Sequence, residues 1–119
     1  MEVIRGYFTF GSPFIDLMIN SHKIPFLLDT GFNGHVMLSE NIIEKLGLVQ
    51  IGFTDFKTAS GEEKMTEVYK AKLKFFNKEI EVPVLSTSAN FCLAGIELFH
   101  NYRIIIERHT DTIEIIRAE

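Results

Sequence analysis

The sequence holds a single cysteine, Cys92, no tryptophan, and only 3 prolines in 119 residues. One cysteine excludes an intrachain disulfide framework. No apolar stretch approaches the roughly 18–20 residues that cross a bilayer as a helix. No block of lysine or arginine supplies the clustered charge that a phosphate backbone requires. With 12 basic against 16 acidic residues the net charge is −4, so neither nucleic acid nor a membrane is an expected partner. The opening Met1-Glu2-Val3-Ile4-Arg5-Gly6 lacks the basic start and apolar centre of a signal peptide, and the expectation is a cytoplasmic protein. What the chain does have is apolar mass: 46% hydrophobic residues, 11 of the chain being Phe, enough for the core of one domain spanning 1–119.

That mass is distributed in short runs. Residues 2–9 mix β-branched and aromatic side chains and read as a strand, broken by Gly11-Ser12-Pro13. Phe14 to Ile19 is a second strand, closed by the polar turn Asn20-Ser21-His22-Lys23, and a third run ends at Asp29. His35 to Leu38 is a short strand. Ser39 then stands as an N-cap before Glu40, the apolar stripe Ile42, Ile43 and Leu46, and the C-cap Gly47, which predicts a helix over 40–46. Leu48 to Phe56 is extended, and the polar stretch 58–64 forms the tip of a long hairpin. Residues 68–75 and 79–85 alternate with period two, on either side of a tight turn at Asn77-Lys78. Pro83 places the second of these at a sheet edge or a bulge. Residues 86–90 read as a loop, 91–95 as a short buried run, and 96–100 as one or two helical turns. Strands at 103–107 and 112–116 flank the turn His109-Thr110-Asp111. About ten short strands with at most two helices give an all-β barrel or sandwich. A strand followed by a helix occurs at 36–47 and again at 91–100, as if two like halves faced each other.

The stretch that organises the rest is Ile24-Pro25-Phe26-Leu27-Leu28-Asp29-Thr30-Gly31. A continuous apolar run predicts a strand buried on both sides, carrying one carboxylate out at its end. Desolvation favours the neutral form of an acid, so a carboxyl group delivered in this way is a candidate for acid–base work. Asp-Thr-Gly is equally good turn chemistry, since Asp and Thr bond nearby backbone and Gly tolerates positive φ. Other chemistries have weaker claims. His22, His35, His100 and His109 lack metal-ligand spacing and read as surface or helix-end residues. Cys92 lies in an apolar run, where a thiol behaves as a small hydrophobe. No Gly-x-Ser-x-Gly elbow is present.

In order, the pieces are an apolar strand into Asp-Thr-Gly, a helix, a hairpin with glycine at its tip, and an apolar pair followed by glycine. This resembles the single-lobed, retroviral-type (retropepsin-like) aspartic proteases over nearly the whole chain. Leu28-Asp29-Thr30-Gly31-Phe32-Asn33-Gly34 and Leu46-Gly47-Leu48 are similar to a group of small prokaryotic members. The resemblance implies a closed acid-protease barrel with one short helix after the Asp-Thr-Gly loop and a second helical turn near the C-terminus. It implies Asp29 as the catalytic acid and Thr30 and Gly31 as support for its loop. It further implies Thr58, Ala59, Ser60 and Gly61 as a flap over the substrate, with Leu93, Ala94 and Gly95 as the strand beneath the loop. Two departures stand out: bulky Phe32 follows the triplet where the family commonly has a small residue, and the flap has one glycine beside Glu62-Glu63.

Chemistry of that family needs two carboxylates that share one proton. Asp29 is the one acid here in an Asp-Thr-Gly setting, while Asp55 and Asp111 read as lying in unrelated polar surroundings. The implied partner is therefore a second copy of the chain, with a twofold axis between the two Asp29 side chains, and a peptide or protein as substrate. No metal or other cofactor is expected. A dimerisation or peptide-binding module without catalysis on the same fold is the alternative, because a fold does not guarantee its chemistry.

Overall fold

A computed structural model describes residues 2–57 and 60–118. It contains β1 (Val3–Thr9), β2 (Ser12–Ile19), β3 (His22–Asp29), β4 (Val36–Ser39), the helix α1 (Glu40–Leu46), β5 (Val49–Lys57) and β6 (Glu63–Phe75). β7 (Lys78–Thr87), β8 (Cys92–Gly95), a single 3-10 turn at Ile96–Phe99, β9 (Tyr102–Glu107) and β10 (Thr112–Arg117) follow. The all-β class and the two helical pieces are those expected from the sequence.

The strands hydrogen-bond in the order β5-β6-β7-β4-β8-β3-β2-β1-β10-β9. A further short ladder, Met18 with Lys74 and Ile19 with Leu73, joins β2 to β6, so the six strands from β6 to β2 form a ring. Inside it lie Ile15, Ile19, Phe26, Val36, Leu38, Leu73 and Val84, all fully buried. The pattern on β2 shows why: Ile15, Leu17 and Ile19 alternate with half-buried neighbours, so one face of the strand is apolar and turned inward.

The faint duplication in the sequence corresponds to a spatial one. Phe26–Asp29 of β3 runs parallel to β8, and Val84–Thr87 of β7 runs parallel to β4. The two parallel pairs meet where Val36 and Met37 lie antiparallel to Ala94 and Leu93. β4 is followed by α1 and β8 by the 3-10 turn, which completes the like halves.

Several local expectations are corrected. β3 is not buried on both sides: Ile24, Phe26 and Leu28 are buried, whereas Pro25 is exposed and Leu27 half-buried. The continuous apolar run hid an ordinary alternation, because the outward positions are also apolar. β7 continues through Ser86 and Thr87, read as loop, because β4 pairs with them. β7 is also an interior strand, yet Pro83 fits its chemistry: the β4 ladder begins at Val84, so at Pro83 the strand has β6 alone beside it. Helix α1 has the predicted limits, and Gly47 ends it in the left-handed region at φ 63°, its amide donating to Glu44 O at 3.1 Å. Ser39 stands at the N-cap position but makes no side-chain capping bond. It is buried at the end of β4, and it hydrogen-bonds the Cys92 thiol instead.

Candidate active site

β3 carries Asp29 to the end of its parallel ladder with β8, where Asp29 lies beside Gly95. The chain turns at once. The Gly31 amide donates to Asp29 Oδ1 at 2.9 Å, and the Phe32 amide donates to the Asp29 carbonyl at 3.2 Å. The carboxylate is thus oriented by its own loop while its side chain stays half-buried.

Backbone hydrogen bonds hold the loop after Asp29 from below. The amide of Gly95 donates to His35 O at 2.8 Å, that of Ile96 to Phe32 O at 2.9 Å, and that of Glu97 to Gly34 O at 3.2 Å. This packing needs glycine at 95: a Cβ there would lie 2.1 Å from the Gly34 oxygen and 2.6 Å from the Phe32 ring. Phe32 turns inward over Gly34 and Gly95 and is 5% exposed. The bulky residue after the triplet is therefore part of the packing under the loop.

Asp29, Gly31, Asn33 and His35 form one side of a cleft of about 990 Å³. Val68, Leu85 and Leu93 give it an apolar wall, and Thr54, Asp55 and Lys57 bound it from the β5–β6 hairpin. That hairpin pairs from Gly52 with Val68 out to Lys57 with Glu63, which makes it a long two-stranded arm beside the Asp29 loop.

Of the residues singled out in the sequence, Asp29, Gly31 and Leu93 come together on this cleft. Ala94 and Gly95 are buried beneath the loop. Thr30 is exposed at the turn, and its hydroxyl makes no hydrogen bond among the described residues. Ser60 and Gly61 are exposed at the far end of the hairpin, with Gly61 at φ 85°. Thr58 and Ala59 lie outside the described residues.

Two residues set aside in the sequence belong to the site. Asp55, read as an unrelated polar position, lines the cleft from β5, and His35 lines it from the loop. Position 55 falls on a strand whose sequence near the tip, Thr54-Asp55-Phe56-Lys57, has no pattern that marks a cleft-facing residue. For His35 a signal was present, since it lies within the short segment that follows Asp-Thr-Gly. Buried Cys92 has its thiol pKa raised by desolvation, with the bonds from Ser39 acting the other way. That environment suits the apolar packing role expected for it.

Residues 15–101 match a family model described as "gag-polyprotein putative aspartyl protease". No curated protein matches the chain. Among solved structures, a retropepsin-like aspartic protease from Rickettsia conorii is similar with a TM-score of 0.71 and 22% identity, over 96% of this chain and 89% of that one. The EIAV protease, solved with the inhibitor HBY-793, has a TM-score of 0.64 and 19% identity, over 77% of this chain and 88% of that one. The simian foamy virus (mac) protease gives 0.55 and 23%, over 71% and 88%. These likenesses are of fold, and the family match extends from β2 through the 3-10 turn, including the Asp29 loop. The chain belongs to the gag-polyprotein aspartyl protease family and has the retropepsin-like fold.

Proposed function

We propose that the chain is a homodimeric endopeptidase in which Asp29 from each of two copies forms one catalytic dyad. The observation that carries this reading is the placement of Asp29: a half-exposed carboxylate, oriented by the Gly31 amide, at the wall of a 990 Å³ cleft. A single carboxylate cannot both accept and donate a proton in one step. Two held about 3 Å apart share a proton, because like charges at that distance do not both ionise. The ionised one takes a proton from a water as its oxygen attacks the scissile carbonyl. The protonated one gives its proton to the carbonyl oxygen, which leaves a tetrahedral diol. Collapse of the diol sends a proton to the amide nitrogen and breaks the C–N bond.

The remaining parts have roles that suit this chemistry. The hydroxyl of Thr30, exposed and without a hydrogen bond among the described residues, braces the partner's loop. The β5–β6 hairpin covers an extended peptide, whose apolar side chains fit the wall of Val68, Leu85 and Leu93. Asp29→Asn tests the reading: peptide cleavage is lost while the assembly and the fold are retained. Wild-type dimer that binds peptides and cleaves none of a broad library between acidic and neutral pH would leave a binding module in place of an enzyme.

A further inference from the structure

The arm side of the cleft carries two opposite charges, Asp55 and Lys57 of β5. They lie two residues apart and so share one face of the strand. Both are exposed, and neither side chain makes a hydrogen bond or an ion pair among the described residues. A carboxylate and an ammonium group therefore stand at the rim of the cleft, open to whatever enters it.

The two charges are not equivalent. In the β5–β6 ladder Lys57 lies directly across from Glu63, and opposite charges so placed offset one another. Asp55 lies across from Met65 and follows Phe53 on its face, and both of these apolar neighbours are themselves exposed. Its basic neighbour on that face, Lys57, is the one already opposed by Glu63. Along the arm Asp55, Glu62, Glu63 and Glu67 stand against Lys57 and Lys64, so its field is negative. Among the described residues lining the cleft, the other ionisable side chains are Asp29 and His35, and neither a second lysine nor an arginine is present.

The acid also lies at a definite distance from the apolar wall. Val68 of that wall pairs with Gly52, three positions before Asp55. At about 3.3 Å per residue, Asp55 is roughly 10 Å farther along the arm, a span that about three residues of an extended peptide cover.

We propose that Asp55 selects a lysine or arginine side chain of the bound peptide, a few residues from the apolar side chain held by Val68, Leu85 and Leu93. This rests on the reading of the cleft as a peptide site and names its substrate class: extended peptides with a basic and an apolar side chain within reach of each other. The Asp55 carboxylate accepts charge-assisted hydrogen bonds from the ammonium or guanidinium group. Because the acid is exposed, it contributes discrimination between peptides more than raw affinity.

Peptides that share one apolar segment and carry Lys, Gln or Glu at each flanking position test this in two ways. One readout is kcat/KM for cleavage by wild type; the other is fluorescence anisotropy of binding to Asp29→Asn, which needs no chemistry. At the best flanking position Lys should be favoured over Glu on the order of tenfold in both, and less so as ionic strength rises. Adding Asp55→Asn should bring the ratio close to one, Asp55→Lys should invert it, and Asp55→Glu should keep it, with circular dichroism confirming that each variant is folded. Equal use of Lys and Glu peptides, or a Lys preference that persists in Asp55→Asn, would overturn the proposal. So would a Glu preference that disappears in Lys57→Gln, which would give the selection to Lys57. Binding that follows Asp55 while no peptide is cleaved would sink the protease reading and leave this assignment standing; cleavage indifferent to charge would do the reverse, and peptides neither bound nor cleaved would end both.

Discussion

Gly95 approaches Gly34 so closely that a Cβ on the first would lie 2.1 Å from the carbonyl oxygen of the second. The contact matters because Gly34 belongs to the loop that begins at Asp29, and Gly95 is the neighbour of Asp29 across the β3–β8 ladder. Loop and strand are locked by backbone hydrogen bonds at either side of the contact. Gly95→Ala is expected to force the loop outward and to cost about 1–3 kcal/mol, the usual penalty of overpacking. Urea unfolding measures the loss, and a peptide assay reads the displaced carboxylate. Unchanged stability would mean that the loop and strand separate with ease.

Phe32 occupies the space between that loop and the strand below it. At 5% exposure its ring is packed like a core residue, against Gly34 and Gly95. Phe32→Ala is expected to destabilise by about 3–5 kcal/mol, as large-to-small changes of buried aromatics do. Phe32→Leu should recover most of the loss, with thermal unfolding as the measurement. A ring that projected into the cleft would produce little effect on stability in either variant.

Tyr7 links stability to alkaline pH. Its hydroxyl donates a hydrogen bond to Asp16. Its pKa is pushed up to about 12, first by burial, then by that bond and by the Asp16 charge. The folded state therefore holds the phenolic proton more tightly than the unfolded chain, whose ordinary value is 10.0. The stabilisation is full below pH 10 and is lost as pH rises toward and through about 12. Unfolding free energy should fall across this window in wild type and fall less steeply in Tyr7→Phe. Equal slopes in the two proteins would refute the linkage.

Cys92 should be inert until the protein opens. The thiol is 2% exposed and its pKa is raised by burial. Reaction of native protein with a disulfide reagent at pH 8 is expected to be slow and to accelerate with denaturant, because it requires unfolding. Rapid stoichiometric labelling of the native chain would contradict its placement in the core.

Much of the fold was legible along the chain because it is written in short-range pattern. Helix α1 was readable end to end, since an apolar stripe and a left-handed Gly47 terminate it within a few residues. The turns at Gly11 and at Asn20-Ser21 were marked by residues that occupy positive φ, whereas the turn expected at Asn77-Lys78 lies one residue earlier, at Phe76-Asn77, because Lys78 already pairs with Phe75. Where local signals misled, a distant partner had intervened. Ser86 and Thr87 have the polarity of a loop and become strand because β4 lies beside them. Ser39 has the identity of a cap, and its hydroxyl is taken by Cys92. For Asp55 the decisive fact is the position of the β5–β6 arm over the cleft, which nothing within β5 records.

The sequence alone determined the period-two alternation of residues 68–75 and 79–85, the limits of α1 and the singular Asp29-Thr30-Gly31 turn. Each depends on sterics and hydrophobic alternation over a few consecutive residues. Only the tertiary structure decided that β8 runs beside β3, that the Asp29 loop rests on Gly95, and that Asp55 and His35 share its cleft. Those contacts join segments some twenty to seventy residues apart, and parallel pairing in particular leaves no mark in either strand, because it is selected by how the whole set of apolar faces closes around one core.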